Sequence, residues 1–143
     1  MFDIKSEVLT LEIFNALAEA VGWGHPSISD IKEALKNSFY TVCVIYNGKF
    51  IAMGRIVQSS NMCFFIKDVA VLPEYQGKGV GKLLIENMLE FIKNEMPYGW
   101  KTYVELISVH GKEGFYERFG FEKRVAQKDW CAMRLRLRNV VLK

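Results

Sequence analysis

The sequence lacks long apolar runs, paired cysteines and a strong excess of charge of either sign. No apolar stretch approaches the roughly 18 to 20 residues that cross a bilayer. The first seven residues include acidic side chains and lack the basic region followed by an apolar one that is typical of a signal peptide. Cys43, Cys63 and Cys131 have no C-x-x-C spacing, so no metal is expected and buried free thiols are predicted. A net charge of +3 is too small to argue for nucleic acid. We therefore expect a cytoplasmic protein whose partners include neither a membrane nor a nucleic acid.

Proline is also scarce, with three in 143 residues, while half of the residues are hydrophobic and 24% are charged. This composition gives no sign of a disordered linker or a low-complexity segment. A chain of this length buries about two thirds of its unfolded surface in one core. We therefore predict a single domain over residues 1–143.

Hydrophobic spacing and turn signals predict two short helices followed by a three-stranded meander. The first helix has Ile13, Phe14, Leu17 and Val21 at helical spacing, and the second has a capping region from Ser27 to Asp30, then Ile28, Ile31 and Leu35 on one side. Strands over Phe39–Tyr46 and Lys49–Val57 are joined by Asn47-Gly48, a strong hairpin signal, and a turn at Ser59–Asn61 leads into Cys63–Val71.

The second half of the chain predicts a helix, a strand, a short helix and a closing hairpin. The first helix of this half has Val80, Leu84, Met88 and Phe91 on its buried side and is ended by Pro97 and Gly99. The segments that follow are the strand Thr102–Ile107, the helix Lys112–Phe119 and the strands Phe121–Val125 and Trp130–Leu137. Arg134, Arg136 and Arg138 alternate with apolar residues, as on the solvated face of a strand. The predicted order is ααβββαβαββ.

Three glycines at 77, 79 and 81 lie between an apolar strand and an amphipathic helix. Such a turn brings backbone N–H groups to a helix N-terminus, where anions bind. The dinucleotide spacing G-x-G-x-x-G fails because its third glycine falls on Lys82, and the P-loop fails because Leu83 stands where Ser or Thr is needed. The segment that remains is Gln76-Gly77-Lys78-Gly79-Val80-Gly81.

This Q-x-x-G-x-G segment resembles the signature of the GCN5-related N-acetyltransferase (GNAT) superfamily. Gly114-Phe-Tyr-Glu-Arg-Phe-Gly-Phe121 looks like the F-Y-x-x-x-G-F segment of the same family, and the element order matches over nearly the whole chain. The resemblance implies an α/β (α+β) fold with a central mixed, mostly antiparallel sheet of about seven strands, flanked by helices. It also implies that the sheet is splayed in the middle, between Ile66–Val71 and Thr102–Ser108.

The resemblance further implies that acetyl-CoA is the co-substrate. The backbone of Val69, Ala70 and Val71 would then pair with pantetheine and bind the oxyanion. The pyrophosphate would lie on a loop formed by Gln76, Gly77, Lys78, Gly79, Val80, Gly81 and Lys82. Ser108 and Phe115 are the other predicted cofactor contacts. The family often has an asparagine before its tyrosine; here Ser108 or His110 replaces it, or the contact is absent.

Acetyl transfer to an amine needs a base for the ammonium and an acid for the departing thiolate. Tyr116 is the predicted acid because a phenol stays protonated at neutral pH, although its aromatic neighbours also fit plain packing. Asp68 is the predicted base, with Glu105 and a water chain as rivals, and a structural ion pair is its alternative role.

The acceptor amine is the part of the predicted reaction that the sequence determines least. Trp23, Tyr40 and Arg55 are the predicted substrate-binding residues, with His25 and Trp130 also conspicuous, and each fits a structural role as well. The predicted function is an N-acetyltransferase acting on a primary amine of a small molecule by direct attack in a ternary complex. Two alternative functions stay open: a non-catalytic acyl-CoA sensor, and an acetyltransferase for a protein lysine or N-terminus. A homodimer also stays open.

Overall fold

The computed structural model describes residues 1–24, 26–126 and 130–140, and these residues form seven strands and four α-helices. The bounds are β1 Asp3–Ser6, α1 Leu11–Ala20, α2 Ile28–Lys36, β2 Tyr40–Tyr46, β3 Lys49–Ser60, β4 Cys63–Val71, α3 Val80–Glu95, β5 Lys101–Val109, α4 Glu113–Glu117, β6 Glu122–Ala126 and β7 Trp130–Arg138. A short 3-10 turn, Pro73–Tyr75, lies between β4 and α3.

The strands are hydrogen-bonded in the order β1-β2-β3-β4-β5-β7-β6. The pairs β1–β2, β2–β3, β5–β7 and β6–β7 are antiparallel, whereas β4–β5 is parallel. The predicted mixed, mostly antiparallel sheet of seven strands is therefore confirmed.

The predicted element order was wrong at its start, because it lacks β1. Residues Asp3 to Ser6 pair with Val42 to Ile45 of β2 through their backbone, and all four are exposed. An exposed edge strand buries no apolar side chain, so it leaves no hydrophobic pattern in the sequence.

Local signals predicted the hairpin and the two N-terminal helices well. Asn47 and Gly48 both have positive φ, as a tight two-residue turn between β2 and β3 requires. The hydroxyls of Thr10 and Ser27 cap α1 and α2 by accepting hydrogen bonds from the N–H groups of Ile13 and Asp30. Ile28, predicted on the same side of α2 as Ile31 and Leu35, is the first residue of that helix and is exposed.

Several predicted boundaries were also wrong, mostly because backbone pairing extends further than the apolar pattern. Strand β3 continues through Ser60, where the sequence predicted a turn, and β5 extends to Val109. Helix α4 is shorter than predicted because tighter hydrogen bonds replace the helical ones after it, from Phe119 N–H to the Tyr116 carbonyl and from Gly120 N–H to the Glu117 carbonyl.

The chain packs as two units, one of Met1–Val57 with Asp68–Glu90 and one of Gln58–Lys67 with Phe91–Lys143. The core of the first unit consists of apolar side chains from α1, α2, β2, β3, the end of β4 and α3, among them Phe14, Leu17, Ile31, Val42, Val44, Ile51, Met53, Ile56, Val80, Leu84, Ile85 and Met88. The core of the second unit includes Phe64, Ile66, Ile92, Met96, Val104, Leu106, Phe121 and Met133.

The cysteine predictions had mixed outcomes. Cys43 is a buried free thiol, as predicted, and burial raises its pKa to about 12. Cys63 is half-buried rather than buried, and its Sγ lies 2.8 Å from Glu105 Oε1. The side chain of Cys131 lies outside the described part of the structure.

Candidate functional site

In the first unit, a short ordered segment connects β4 to α3. The N–H of Leu72 donates to the Ile51 carbonyl at 2.9 Å, so the segment leaves the sheet from a fixed point. Pro73–Tyr75 forms a single 3-10 turn, and the Gln76 side-chain amide donates back to the Val71 carbonyl at 2.9 Å. These bonds fix the start of the glycine turn relative to the end of β4.

The glycine turn itself has left-handed backbone at two positions. Gly77 has φ +76° and Gly79 has φ +84°, a region that residues with a Cβ rarely adopt. A Cβ built on either glycine meets no atom within 4 Å. The glycines are therefore required by backbone conformation, and the space above them is open for a ligand.

Helix α3 begins directly after this turn and has 16 residues. Its first full hydrogen bond runs from the Leu83 N–H to the Gly79 carbonyl at 3.1 Å. The N–H groups of Val80, Gly81 and Lys82 precede that bond, so they have no acceptor one turn back. These N–H groups and the positive end of the helix dipole form an anion-binding position, as the predicted pyrophosphate loop requires.

Aromatic side chains support the turn from the side of β2. The rings of Phe2 and Tyr46 have centroids 5.3 Å apart, and the rings of Tyr46 and Tyr75 have centroids 5.8 Å apart. Lys78 Nζ lies 5.7 Å from the centre of the Tyr75 ring. This cation–π contact keeps a positive charge beside the glycine turn.

Strand β4 has unusual backbone at Asp68, where φ is +54°. A non-glycine residue in this region is strained by roughly 1–2 kcal/mol, and aspartate is among the residues that tolerate it best. The predicted pantetheine-pairing residues Val69, Ala70 and Val71 follow immediately. The sequence predicted one uninterrupted strand over Cys63–Val71, so this irregularity was not expected.

Asp68 and Arg55 form an ion pair within the first unit. Arg55 Nε lies 2.5 Å from Asp68 Oδ2, and the two side chains are 10% and 22% exposed. Arg55 Nη1 also lies 3.4 Å from the Ala34 carbonyl and 3.3 Å from Ser38 Oγ, at the end of α2. The pair therefore ties β3, the strained residue of β4 and α2 together.

This geometry favours the structural interpretation of both residues. The guanidinium of Arg55 is engaged inside the protein, so it does not present the free donors that a carboxylate on the acceptor would need. The carboxylate of Asp68 already accepts from Arg55, which weakens its case as the base.

The other predicted acceptor residues differ in accessibility. Tyr40 is buried, and its hydroxyl donates to Asn87 Oδ1 of α3 at 2.7 Å, which favours a core role. Burial also raises the pKa of Tyr40. Trp23 is half-buried just after α1, and its acceptor role stays a prediction. His25 lies outside the described residues, as does the side chain of Trp130.

In the second unit, Tyr116 lies in α4 within an aromatic cluster. Its ring centroid is 5.0 Å from that of Phe115 and 6.1 Å from that of Phe121, and Phe115 also contacts Phe119. Burial raises the pKa of Tyr116 to about 12, so its hydroxyl stays protonated at neutral pH. Gly120 ends this segment with φ +93°, and a Cβ there would lie 3.0 Å from Leu135 Cδ1.

The parallel pairing of β4 with β5 is short, as the splayed sheet predicts. Its register covers Cys63–Phe65 against Tyr103–Glu105, although β5 extends to Val109. Ser108 lies further along β5, where it is buried and its hydroxyl donates to the Val109 carbonyl at 2.9 Å. The cofactor roles of Ser108 and Phe115 stay predictions.

Comparison with known proteins agrees with these features. The model of the acetyltransferase (GNAT) domain matches residues 38–123, which include the glycine turn and the tyrosine segment. The chain belongs to the GNAT acetyltransferase family. An uncharacterized N-acetyltransferase, ycf52, from Gracilaria tenuistipitata var. liui is 31% identical over 117 residues, covering 79% of this chain and 62% of that protein. The chain thus spans less than two thirds of that relative.

Solved structures share the fold. A probable acetyltransferase of unknown function from meticillin-resistant Staphylococcus aureus has a TM-score of 0.76 at 28% identity, covering 90% of this chain and 99% of that one. A GNAT family acetyltransferase from Elizabethkingia anophelis, solved with acetyl-CoA bound, has a TM-score of 0.71 at 16% identity, covering 95% and 98%. No helix in the described part of this GNAT protein is long and apolar enough to cross a membrane.

Proposed function

We propose that this GNAT protein is an acetyl-CoA-dependent N-acetyltransferase that acetylates a primary amine of a small molecule by direct attack in a ternary complex. The observation that carries the proposal is the glycine turn, in which Gly77 and Gly79 adopt left-handed backbone at the N-terminus of a 16-residue helix. This arrangement suits a pyrophosphate, because several N–H groups and the helix dipole converge on one position.

The residues present fit coenzyme A. Val80, Gly81 and Lys82 would donate their N–H groups to the pyrophosphate, and Lys78 would add a positive charge held by Tyr75. The backbone of Val69 to Val71 would pair with the pantetheine amides. When bound, acetyl-CoA supplies an activated acetyl thioester.

Tyr116 serves as the acid in this proposal. Because its pKa is raised to about 12, the phenol is neutral between pH 7 and 10 and can donate its proton to a thiolate. The acid role therefore predicts no loss of rate from tyrosine ionisation across that range.

Glu105, rather than Asp68, is the proposed proton acceptor. Asp68 is tied to the Arg55 guanidinium, whereas Glu105 Oε1 has a neutral thiol, that of Cys63, as its neighbour. Among the described residues Glu105 forms no ion pair, although Arg134 is opposite it in the register of β5 with β7, so its carboxylate can form a charge-assisted hydrogen bond to an incoming ammonium group. Asp68 then acts by holding β4 in its strained conformation.

Two substitutions test the proposal, each with a matched control. Tyr116→Phe should lower kcat by about a hundredfold and leave the dissociation constant of coenzyme A within twofold, whereas Tyr98→Phe at an exposed tyrosine should change neither. Gly79→Val should abolish coenzyme A binding. Gly48→Val introduces similar backbone strain at φ +77° in the β2–β3 turn and should leave binding intact.

The readouts are thiol release from acetyl-CoA with a panel of primary amines, and calorimetry with coenzyme A. An unchanged rate in Tyr116→Phe would remove the tyrosine from the acid role. Tight coenzyme A binding with no amine-dependent thiol release would favour the acyl-CoA sensor over the enzyme. Retained binding in Gly79→Val would show that the glycine turn is not the pyrophosphate site.

A further inference from the structure

One face of the sheet in the second unit has an ordered set of charges. In the antiparallel register of β5 and β7, Tyr103 is opposite Arg136 and Glu105 is opposite Arg134. Residues directly opposite in such a pair point to the same face, so these four side chains share one face. The alternate residues Val104, Leu106 and Met133 are buried in the core.

The ring of Tyr103 orients both guanidinium groups. The Arg134 guanidinium carbon lies 4.5 Å from the ring centre, and that of Arg136 lies 5.6 Å from it. Arg136 Nη2 is also 3.4 Å from the Tyr103 hydroxyl. A guanidinium above an aromatic ring can still donate its edge N–H groups, and neither arginine forms an ion pair among the described residues.

An acidic group completes the set at the next register position. Glu105 carries a negative charge opposite Arg134, and its described hydrogen bond is with the Cys63 thiol. Further along β5, Ile107 and Val109 are 54% and 52% exposed, which leaves an accessible apolar strip beside the charges. Arg134 is also opposite Glu122 of β6, and Lys101 and Arg138 continue the same face beyond Tyr103. The face therefore has cations around Tyr103, carboxylates on both sides of Arg134, and apolar surface at Ile107 and Val109.

We propose that this face binds the acceptor, with Arg134 and Arg136 binding a carboxylate of the acceptor and Glu105 binding its ammonium group. The inference rests on the proposed function and names the substrate class, which is a small amine that also carries a carboxylate. The order of charges along the strands favours this class: a zwitterionic amino acid can place its anion at the arginines on Tyr103 and its cation at Glu105, with Glu122 adding a second carboxylate at that end of the face. A carboxylate matches the fork of guanidinium donors, which a neutral amine would leave unused.

The alternative of an uncharged or purely cationic amine fits the face less well. Such a molecule would bring no counter-charge to the two arginines, and a polyamine would be repelled by them. The apolar strip at Ile107 and Val109 suits the methylene chain of an ω-amino acid.

The test compares matched probes that differ only in the carboxylate. 4-Aminobutanoate and 6-aminohexanoate are measured against butylamine and hexylamine, with acetyl-CoA as donor. The variants are Arg134→Met, Arg136→Met and the double variant. Arg138→Met is the control, because Arg138 is exposed two residues further along β7 and is opposite Lys101 rather than Tyr103.

The wild-type protein should acetylate the amino acids with kcat/KM at least about tenfold higher than the plain amines, since charge-assisted hydrogen bonds are strong. The double variant should lose that preference because kcat/KM falls for the amino acids and stays the same for the plain amines. Arg138→Met should keep the preference. A wild-type protein without the preference, or a double variant that retains it, would overturn the inference.

A second measurement separates this inference from the proposed function. Binding of 6-aminohexanoate and hexylamine is followed by NMR chemical-shift changes without acetyl-CoA, in wild type and in the double variant. Binding of 6-aminohexanoate that depends on the arginines would support the face even if no turnover occurs. The opposite result is a protein that binds coenzyme A and acetylates plain amines while showing no chemical-shift change that depends on the arginines. That result would leave the proposed function standing and would refute the acceptor class.

Discussion

The Arg55–Asp68 ion pair makes a quantitative prediction about stability. Asp68→Asn removes the negative charge but keeps an oxygen that accepts from Arg55 Nε and a residue that tolerates positive φ. Arg55→Met removes the guanidinium but keeps much of the buried side-chain volume. A double-mutant cycle with both changes isolates the interaction between the two side chains.

Burial sets the expected magnitude. Removing one partner of a fully buried pair costs about 3–5 kcal/mol, whereas exposed pairs contribute about 0–1 kcal/mol. Here Arg55 is 10% exposed and Asp68 22%, and Arg55 has two further acceptors in Ala34 and Ser38. We therefore expect a coupling free energy of about 2 kcal/mol, near the middle of this range.

Urea unfolding of the four proteins of the cycle measures this coupling. In thermal unfolding, a loss of about 2 kcal/mol of stability should lower Tm by about 6 °C. The Lys49–Glu74 pair is the control, because its N–O distance is 3.4 Å and its side chains are 59% and 57% exposed. That pair should show no measurable coupling. Equal coupling in the two cycles would refute the argument that burial makes the Arg55–Asp68 pair strong.

Three further predictions concern single positions. Gly120→Ala should destabilise the protein by about 1–2 kcal/mol in urea unfolding because of its φ of +93°, whereas Gly114→Ala in α4 should not, and equal effects would contradict this. With its pKa raised to about 12, Cys43 should stay protonated at pH 8 and react with iodoacetamide more slowly than half-buried Cys63; mass spectrometry showing faster Cys43 labelling would contradict this. Lys78→Gln should weaken coenzyme A binding by about threefold at low salt and less at high salt, and calorimetry showing a salt-independent loss would exclude a charge effect.

The sequence was most informative where a structure depends on neighbouring residues. The Asn47-Gly48 hairpin, the helix caps and the strand–turn–helix around Gly77 and Gly79 each require a particular residue type within a few positions. Positive φ at glycine is such a requirement, so these features could be predicted from the sequence alone. Hydrophobic spacing and turn signals predicted the remaining elements except β1, and their order then matched that of the GNAT family.

Contacts between distant residues could not be predicted in the same way. The Arg55–Asp68 pair depends on the pairing of strands and on left-handed backbone at a non-glycine residue inside β4. Likewise, the sequence identified Arg134 and Arg136 only as a solvated strand face. Their position above Tyr103 depends on the register of β5 with β7, which hydrophobic spacing does not determine.

These limits explain why the acceptor prediction changes most. Residue type alone favoured Tyr40 and Arg55, because an aromatic ring and a guanidinium are common ligand-binding groups. Both are engaged in the core of the first unit, since Tyr40 donates to Asn87 and Arg55 pairs with Asp68. Free guanidinium donors are found instead on the accessible sheet face of the second unit. Because substrate recognition needs donors that are unoccupied and accessible, burial and pairing identify acceptor residues better than residue type does.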